Sequence, residues 1–135
     1  MRILIVEDDF AGRRLLQKIL SVHGECDIAV DGIEAVDAFK TALQENRPYD
    51  LICLDIMMLH MNGHEALTAI RAAEKALGIG GHEGVKVIMT TALKESAHVM
   101  EAFREGCEAY LVKPIDKRRL LEEIEKLGFA LSKVE

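Results

Sequence analysis

Four short apolar runs in this 135-residue chain each end in a residue able to bind or carry a phosphoryl group. Ile3-Leu4-Ile5-Val6 runs into Glu7-Asp8-Asp9, and Leu51-Ile52-Cys53-Leu54 runs into Asp55. Val87-Ile88-Met89 runs into Thr90-Thr91, and Tyr110-Leu111-Val112 runs into Lys113-Pro114. Runs of this length between stretches of helical spacing read as strands buried on both faces, the pattern of a parallel sheet. In an open parallel sheet, ligands bind beyond the carboxyl ends of the strands. With the four runs side by side, one crevice collects several carboxylates, a hydroxyl and an ammonium.

Between the runs the apolar spacing becomes helical. Leu15, Leu16, Ile19 and Leu20 make one face, with Gly24 as its stop. Val36, Phe39 and Leu43 follow Asp31-Gly32, and Leu67, Ile70 and Leu77 follow Asn62-Gly63. Val99, Met100 and Phe103 are stopped by Gly106, and Leu120, Ile124 and Leu127 start from a cap at Asp116. Cys26, Ile28 and Val30 alternate with polar or small residues, which suits an edge strand with one wetter face. Five strands alternating with five helices predict an α/β fold, a doubly wound five-stranded parallel sheet. Right-handed crossovers and an edge position for the second strand favour the flavodoxin-like order 2-1-3-4-5. Its switch point between strands 1 and 3 sets Glu7 and Asp8 beside Asp55. Residues 1–127 form one domain, and the tail 128–135 extends the last helix or frays.

Composition narrows the functions open to such a fold. A net charge of −6 argues against direct nucleic-acid binding, which needs a basic footprint. No apolar run approaches the roughly 20 residues of a membrane span, and Met1-Arg2 leads into no signal-peptide pattern. Cys26, Cys53 and Cys107 suit neither a zinc site nor a disulfide framework, and they read as buried reduced thiols. Together these features point to the cytoplasm.

Three ionised carboxylates at close range repel one another, and a bound divalent cation removes the conflict. Oxygen ligands suit Mg²⁺ or Mn²⁺, which share their shell readily with a phosphate. Lys113 then serves as a point charge for phosphoryl oxygens and Thr91 as a hydroxyl donor. Asp55, alone at the end of a central strand, is the candidate nucleophile for an aspartyl phosphate. Glu7 and Asp8 look like metal holders, and Asp9 a helix-starting acid. Alternation along the strand sends Thr90 and Thr91 to opposite faces, so one of the two serves the site and the other is structural.

The motifs Ile3–Asp8, Leu54-Asp55-Ile56-Met57-Met58, Met61-Asn62-Gly63, Met89-Thr90-Thr91-Ala92 and Tyr110-Leu111-Val112-Lys113-Pro114-Ile115 occur in order. In this the chain resembles the receiver domain of bacterial two-component response regulators, over nearly its whole length. The resemblance implies that Asp55 accepts a phosphoryl group from a histidine kinase or phosphotransfer protein. It implies Mg²⁺ (or Mn²⁺) at Glu7, Asp8, Asp55 and the backbone carbonyl of Met57. Thr91 and Lys113 would contact phosphoryl oxygens, and Tyr110 would be the aromatic switch whose orientation follows Thr91. It also implies a cis Lys113-Pro114 bond, and a downstream effector docking on the fourth helix, fifth strand and fifth helix. The expected chemistry is self-phosphorylation and self-dephosphorylation only, not turnover as an enzyme. The start at Met1 and the tail through Glu135 favour a receiver standing alone, with no output domain, over one excised from a hybrid kinase or a DNA-binding regulator.

The departures from the family pattern carry expectations too. Leu59 stands where the family usually has proline, which is expected to loosen the loop after Asp55. The stretch from Ala73 to Val85 is longer than in compact chemotaxis receivers and resembles receivers of hybrid kinases. Met57 and Leu93 are apolar at the edge of the site, which suits slow hydrolysis of the phosphorylated state. A phosphatase of the haloacid dehalogenase type would need a second aspartate where Met57 stands, and the intact polar set argues against a pseudo-receiver that docks without phosphorylation.

Gly78-Ile79-Gly80-Gly81 precedes a strand instead of following one, so it reads as a connection and not a phosphate loop. His60 and His64 are four apart, but Asn62-Gly63 between them breaks the helical geometry a metal pair needs. His23, His82 and His98 read as surface residues, and none has a partner that suggests catalysis. Lys117-Arg118-Arg119 is either a solvated face or part of the docking surface.

Overall fold

Five strands and five helices alternate in the computed structural model, which describes residues 1–80 and 83–132. They are β1 (Arg2–Val6), α1 (Phe10–Leu20), β2 (Glu25–Ala29), α2 (Gly32–Gln44) and β3 (Leu51–Leu54). Then come α3 (Gly63–Ala76), β4 (Lys86–Thr91), α4 (Ser96–Glu105), β5 (Ala109–Val112) and α5 (Lys117–Lys126). The sheet is parallel throughout, in the order β2-β1-β3-β4-β5. Both the predicted fold and the predicted strand order are found.

Period-two alternation splits the core into two layers. Leu4, Val6, Ile52, Leu54, Val87 and Met89 face one way, against Phe39 of α2, Leu67 and Ile70 of α3, and Ala102 of α4. Ile3, Ile5, Leu51, Cys53 and Ile88 face the other way, against Leu16, Ile19 and Leu20 of α1 and Leu120 and Ile124 of α5. The central strands are therefore apolar on both faces, as their sequence runs require. Helix starts follow local chemistry. Asp9, Asp31, Asn62 and Asp116 each accept a hydrogen bond from a backbone N–H one turn on, and Asn62 with Glu65 forms a full capping box. Gly106 ends α4 at φ +106°, a left-handed cap that favours glycine.

Several predicted details are corrected. Leu15, Leu77, Met100 and Phe103, counted as core-facing, are exposed. Leu77 caps α3 and does not lie within it. In α4 the one fully buried residue is Ala102. Val30 lies past β2 and is exposed; Ala29 is the buried end of that strand. The tail through Ser132 does not extend α5. Gly128 turns the chain at φ +100°, Phe129 and Leu131 pack on the second core layer, and the Ser132 N–H donates to Nδ1 of His23. His23 thus has a partner. Gly81, His82 and residues 133–135 lie outside the described residues. Burial pushes the Cys53 and Cys107 thiols up to about 12, as expected of inert reduced cysteines.

The long connection after α3 is held by a network the sequence did not announce. Glu74 is buried, and its carboxylate accepts from Arg71 Nη1 at 2.7 Å and from the Val85 N–H at 2.7 Å. Arg71 also donates to the carbonyls of Val85 and Gly106, and Glu108 accepts from the Val87 N–H. These groups lash α3 to the entry of β4 and β5, at the end of the sheet away from Glu7 and Asp55. Removing one member of such a cluster leaves a buried carboxylate and carbonyls without donors. Arg71→Met is expected to cost roughly 3 kcal/mol in urea unfolding, the low end for a buried pair because the arginine is partly exposed. A loss under about 0.5 kcal/mol would place the Arg71 contacts among weak surface pairs instead.

Candidate functional site

The carboxyl edge of the sheet gathers what the sequence runs placed there. The Asp55 N–H donates to the Val6 carbonyl, which sets Asp55 next to the end of β1 where Glu7 begins. On the other side, the Lys113 N–H donates to the Thr91 carbonyl and ties the end of β5 to that of β4. The Lys113-Pro114 bond is cis. Lys113 Nζ bonds both the Glu7 carboxylate and Asp55 Oδ2, the latter at 3.0 Å. Glu7 and Asp55 are buried while Asp8 is exposed at the rim. Ligand oxygens of the three acids lie within 4.8 Å of one another.

Three carboxylates against one ammonium would leave two uncompensated negative charges, the charge of one divalent cation. The strain shows in the proton affinities. Burial, followed by the hydrogen bond with Asp55, pushes the Glu7 carboxyl up to about 8. For Lys113, burial pulls downward, but hydrogen bonds to Glu7 and Asp55 outweigh it and the ammonium lies above its ordinary value. Lys113 thus keeps its proton, and the cost of burial falls on Glu7. Glu7 Oε2 is buried with no partner among the described residues. Gly12 makes room for this side chain, since a Cβ there would come within 2.6 Å of Glu7 Oε1. An orphaned buried carboxylate oxygen beside two more acids, all hard oxygen donors, fits a bound divalent metal.

Around this centre stand the remaining predicted residues. The Met57 N–H donates to Asp55 Oδ1 at 3.3 Å, and the exposed Met57 side chain lines a groove with Asp8, Met58, Leu93 and His98. Thr91 is buried, and its Oγ1 accepts from the Leu93 N–H at 3.3 Å. The Tyr110 hydroxyl donates to the Leu93 carbonyl at 2.6 Å. Leu93 therefore connects the two residues that the resemblance couples. Thr90 is buried in the sheet, with its hydroxyl unpartnered among the described residues.

The loop after Asp55 is not loose. Gly63 N–H donates to the Ile56 carbonyl, Met61 N–H to Leu59, and Gly32 N–H to Met61. His60, at φ +67°, reaches Asp31 with Nδ1 at 3.0 Å from Oδ2. Gly63 allows the fold-back, since a Cβ there would sit 2.3 Å from the Asp55 carbonyl oxygen. His64 points elsewhere, toward α4, where it stacks on His98. His98, read from the sequence as a surface residue, is only partly exposed. Neither Gly12 nor the His64–His98 pair was singled out from the sequence. Gly12, at N3 of α1, carried no signal, whereas the histidines pair across 34 residues that only the fold brings together. Lys117, Arg118 and Arg119 are exposed.

Residues 3–125 match the family described as the response regulator receiver domain. The chain belongs to that family. This receiver is 32% identical over 129 residues to the chemotaxis protein CheY of Listeria monocytogenes, covering 93% of this chain and 97% of that protein. It is 31% identical to probable histidine kinase 2 of rice, covering 92% of this chain but only 12% of the kinase. A solved CheX–CheY–BeF3–Mg²⁺ complex from Borrelia burgdorferi has a TM-score of 0.82 to it at 27% identity, over 96% of this chain and 90% of that one. Among the described residues, no helix of the receiver is long and apolar enough to cross a membrane.

The raised Glu7 value sets a pH dependence for the metal-free receiver. The folded state keeps a proton on Glu7 that the unfolded chain releases near 4.5. That contribution is fully present below 4.5 and is lost as the pH rises through about 8. In chelator, the Tm of wild type is therefore expected to fall across this window, and Glu7→Gln to flatten the fall. Added Mg²⁺ should raise Tm most at the upper end, where Glu7 is ionised. A chelated wild type whose Tm rises with pH across the window would contradict this account.

Proposed function

We propose that this receiver takes a phosphoryl group onto Asp55 from the phosphohistidine of a sensor kinase or phosphotransfer protein, and that the modification switches its affinity for a downstream protein. The observation that carries the reading is Asp55, buried at the end of β3, held by Lys113 at 3.0 Å and flanked by Glu7 and Asp8. An Asp55 carboxylate oxygen attacks phosphorus as the donor's P–N bond breaks, and the donor leaves as imidazole. Glu7, Asp8, Asp55 and the Met57 carbonyl would hold Mg²⁺ (or Mn²⁺), which supplies charge neutralisation for the phosphoryl oxygens. The Borrelia CheY solved with BeF3 and Mg²⁺ supports that assignment. Lys113 moves from its carboxylate partners to a phosphoryl oxygen, and the Thr91 hydroxyl donates to another. The donor turns over; the receiver is its own substrate and not an enzyme for others.

The readout runs through Leu93. Drawing Thr91 inward pulls on the Leu93 N–H it accepts from, and so on the carbonyl that holds Tyr110. Tyr110 repacks, and the surface of α4, β5 and α5 changes with it. Met100, Phe103 and Val112 are exposed apolar residues there, suited to an effector protein. Phosphorylation biases an equilibrium between two arrangements of this face. Such a relay belongs in the cytoplasm.

Intact mass after incubation with acetyl phosphate and Mg²⁺ is the primary test. One added phosphoryl group is expected, absent in Asp55→Asn and with chelator. Mg²⁺ binding without any mass gain, from acetyl phosphate or from a panel of phosphorylated kinases, would favour a docking module that works without phosphorylation.

The apolar Met57 and Leu93 side chains flank the approach to Asp55 and offer no hydrogen bond to a hydrolytic water. Met57→Asn is expected to speed loss of the phosphoryl group several-fold, followed by the decay of the added mass. An unchanged decay rate would remove Met57 as a barrier.

A further inference from the structure

Helices α3 and α4 meet over polar groups where two amphipathic helices would ordinarily bury apolar ones. His64, in the first turn of α3, is only 7% exposed. Its Nδ1 lies 2.5 Å from Glu105 Oε1. Its Nε2 faces His98 Nδ1 at 3.3 Å and Glu101 Oε2 at 3.8 Å. The two imidazole rings stack with centroids 5.5 Å apart. His98, Glu101 and Glu105 follow one another at helical spacing along the α4 face that meets α3.

This is the arrangement of a metal site with its supporting shell. A histidine that donates Nδ1–H to a carboxylate presents Nε2 as a lone pair, and ligating histidines are usually held this way. Glu105 is the carboxylate; its other oxygen lies 3.5 Å from the Thr68 hydroxyl, whose nearer acceptor is the His64 carbonyl at 3.0 Å. Nitrogens bound to a tetrahedral Zn²⁺ at about 2.0–2.1 Å stand about 3.3–3.4 Å from each other. The His64–His98 nitrogen separation of 3.3 Å already has that value. One ligand atom from each of His64, His98 and Glu101 falls within 4.8 Å of the others.

We propose that His64, His98 and Glu101 bind a divalent transition-metal cation of the zinc class between α3 and α4, with Glu105 orienting the His64 ring. Two imidazoles and one carboxylate select such a cation over Mg²⁺, which prefers the all-oxygen acids around Asp55. Water fills the fourth position. Binding ties α4 to α3. Because His64 and His98 also wall the groove beside Met57 and Leu93, a bound ion restrains the helix that carries the effector surface. That restraint on output rests on the phosphoryl switch proposed above; the metal site itself does not.

The test is titration of Zn²⁺ into the full chain near neutral pH with Mg²⁺ in excess, followed by calorimetry, with Co²⁺ as a spectroscopic probe. One equivalent of Zn²⁺ should bind, and Co²⁺ should show the intense visible bands of four-coordination without thiolate charge transfer. His64→Leu and His98→Ala should each weaken binding at least about tenfold, and Glu105→Gln by about 10- to 100-fold. Asp55→Asn should bind Zn²⁺ as wild type does, whatever becomes of its phosphorylation. His98 is only half-buried, so its variant keeps the test valid if His64→Leu folds poorly. Wild type that binds no Zn²⁺, Zn²⁺ affinity unmoved by His98→Ala, or Co²⁺ bands of thiolate or six-coordinate oxygen sites would overturn the proposal.

Discussion

The contact on which the rest of the receiver turns is the Lys113 ammonium between the buried carboxylates of Glu7 and Asp55. Burying an unpaired carboxylate is too costly for a domain whose whole stability is about 5–15 kcal/mol. Each acid therefore needs the cation, and the cation must come from another strand. The parallel sheet solves this by ending β1, β3 and β5 at one edge, with β4 between the last two. Even so, one ammonium does not balance three acids, and the remaining charge is what makes the edge a site. A fully satisfied cluster would be a structural ion pair and nothing more. This one keeps an orphaned Glu7 oxygen and a raised Glu7 carboxyl, both of which a bound divalent cation relieves.

The same edge is wired to the surface by short links. Thr91 Oγ1, the Leu93 amide and carbonyl, and the Tyr110 hydroxyl form a chain of two hydrogen bonds that spans the start of the β4–α4 loop. Each bond is modest, on the order of 1 kcal/mol net. That scale suits a switch, because a two-state element responds to a ligand only when its alternatives differ by a few kcal/mol. Core contacts could not serve: Leu54, Met89 and Ile88 are interlocked on both faces of the sheet and have nowhere to go.

Most of the frame was legible because it rests on local signals. The strands announce themselves as uninterrupted apolar runs, and their last residues are the site. Four of the five helix starts are set by an Asp or Asn cap visible in the sequence. Periodicity failed where a helix has more than one apolar stripe. Met100 and Phe103 of α4 look core-facing by spacing, yet they are exposed and Ala102 is buried. Which of the three turns inward depends on how α4 is seated on its neighbours, and no sequence window contains that. The Arg71–Glu74–Glu108 network and the His64–His98 pair escaped for a related reason. Their side-chain partners are 34 or more residues apart, save for the i,i+3 step from Arg71 to Glu74, and the backbone groups of Val85 and Val87 they hold are 11 to 21 residues away. Charged and imidazole side chains on helices look solvated until the fold shows what faces them.

Helix α4 stands apart from its neighbours in how it is held. Among the described helices it alone lacks a side-chain N-cap bond, it has a single fully buried residue, and beside Ala102 its contacts with α3 include the polar set of His64 with His98, Glu101 and Glu105. Elements that move in a switch are drawn from the weakly anchored parts of a structure. A hydrophobic seam between α3 and α4 would hold regardless of conditions. A seam that includes imidazoles and carboxylates offers ligand atoms to a cation instead. The receiver thus has two polar clusters: oxygen donors at the strand ends, and imidazoles with carboxylates between α3 and α4. On the two proposals made above, the loop and helix between them would answer to charge occupancy at both places.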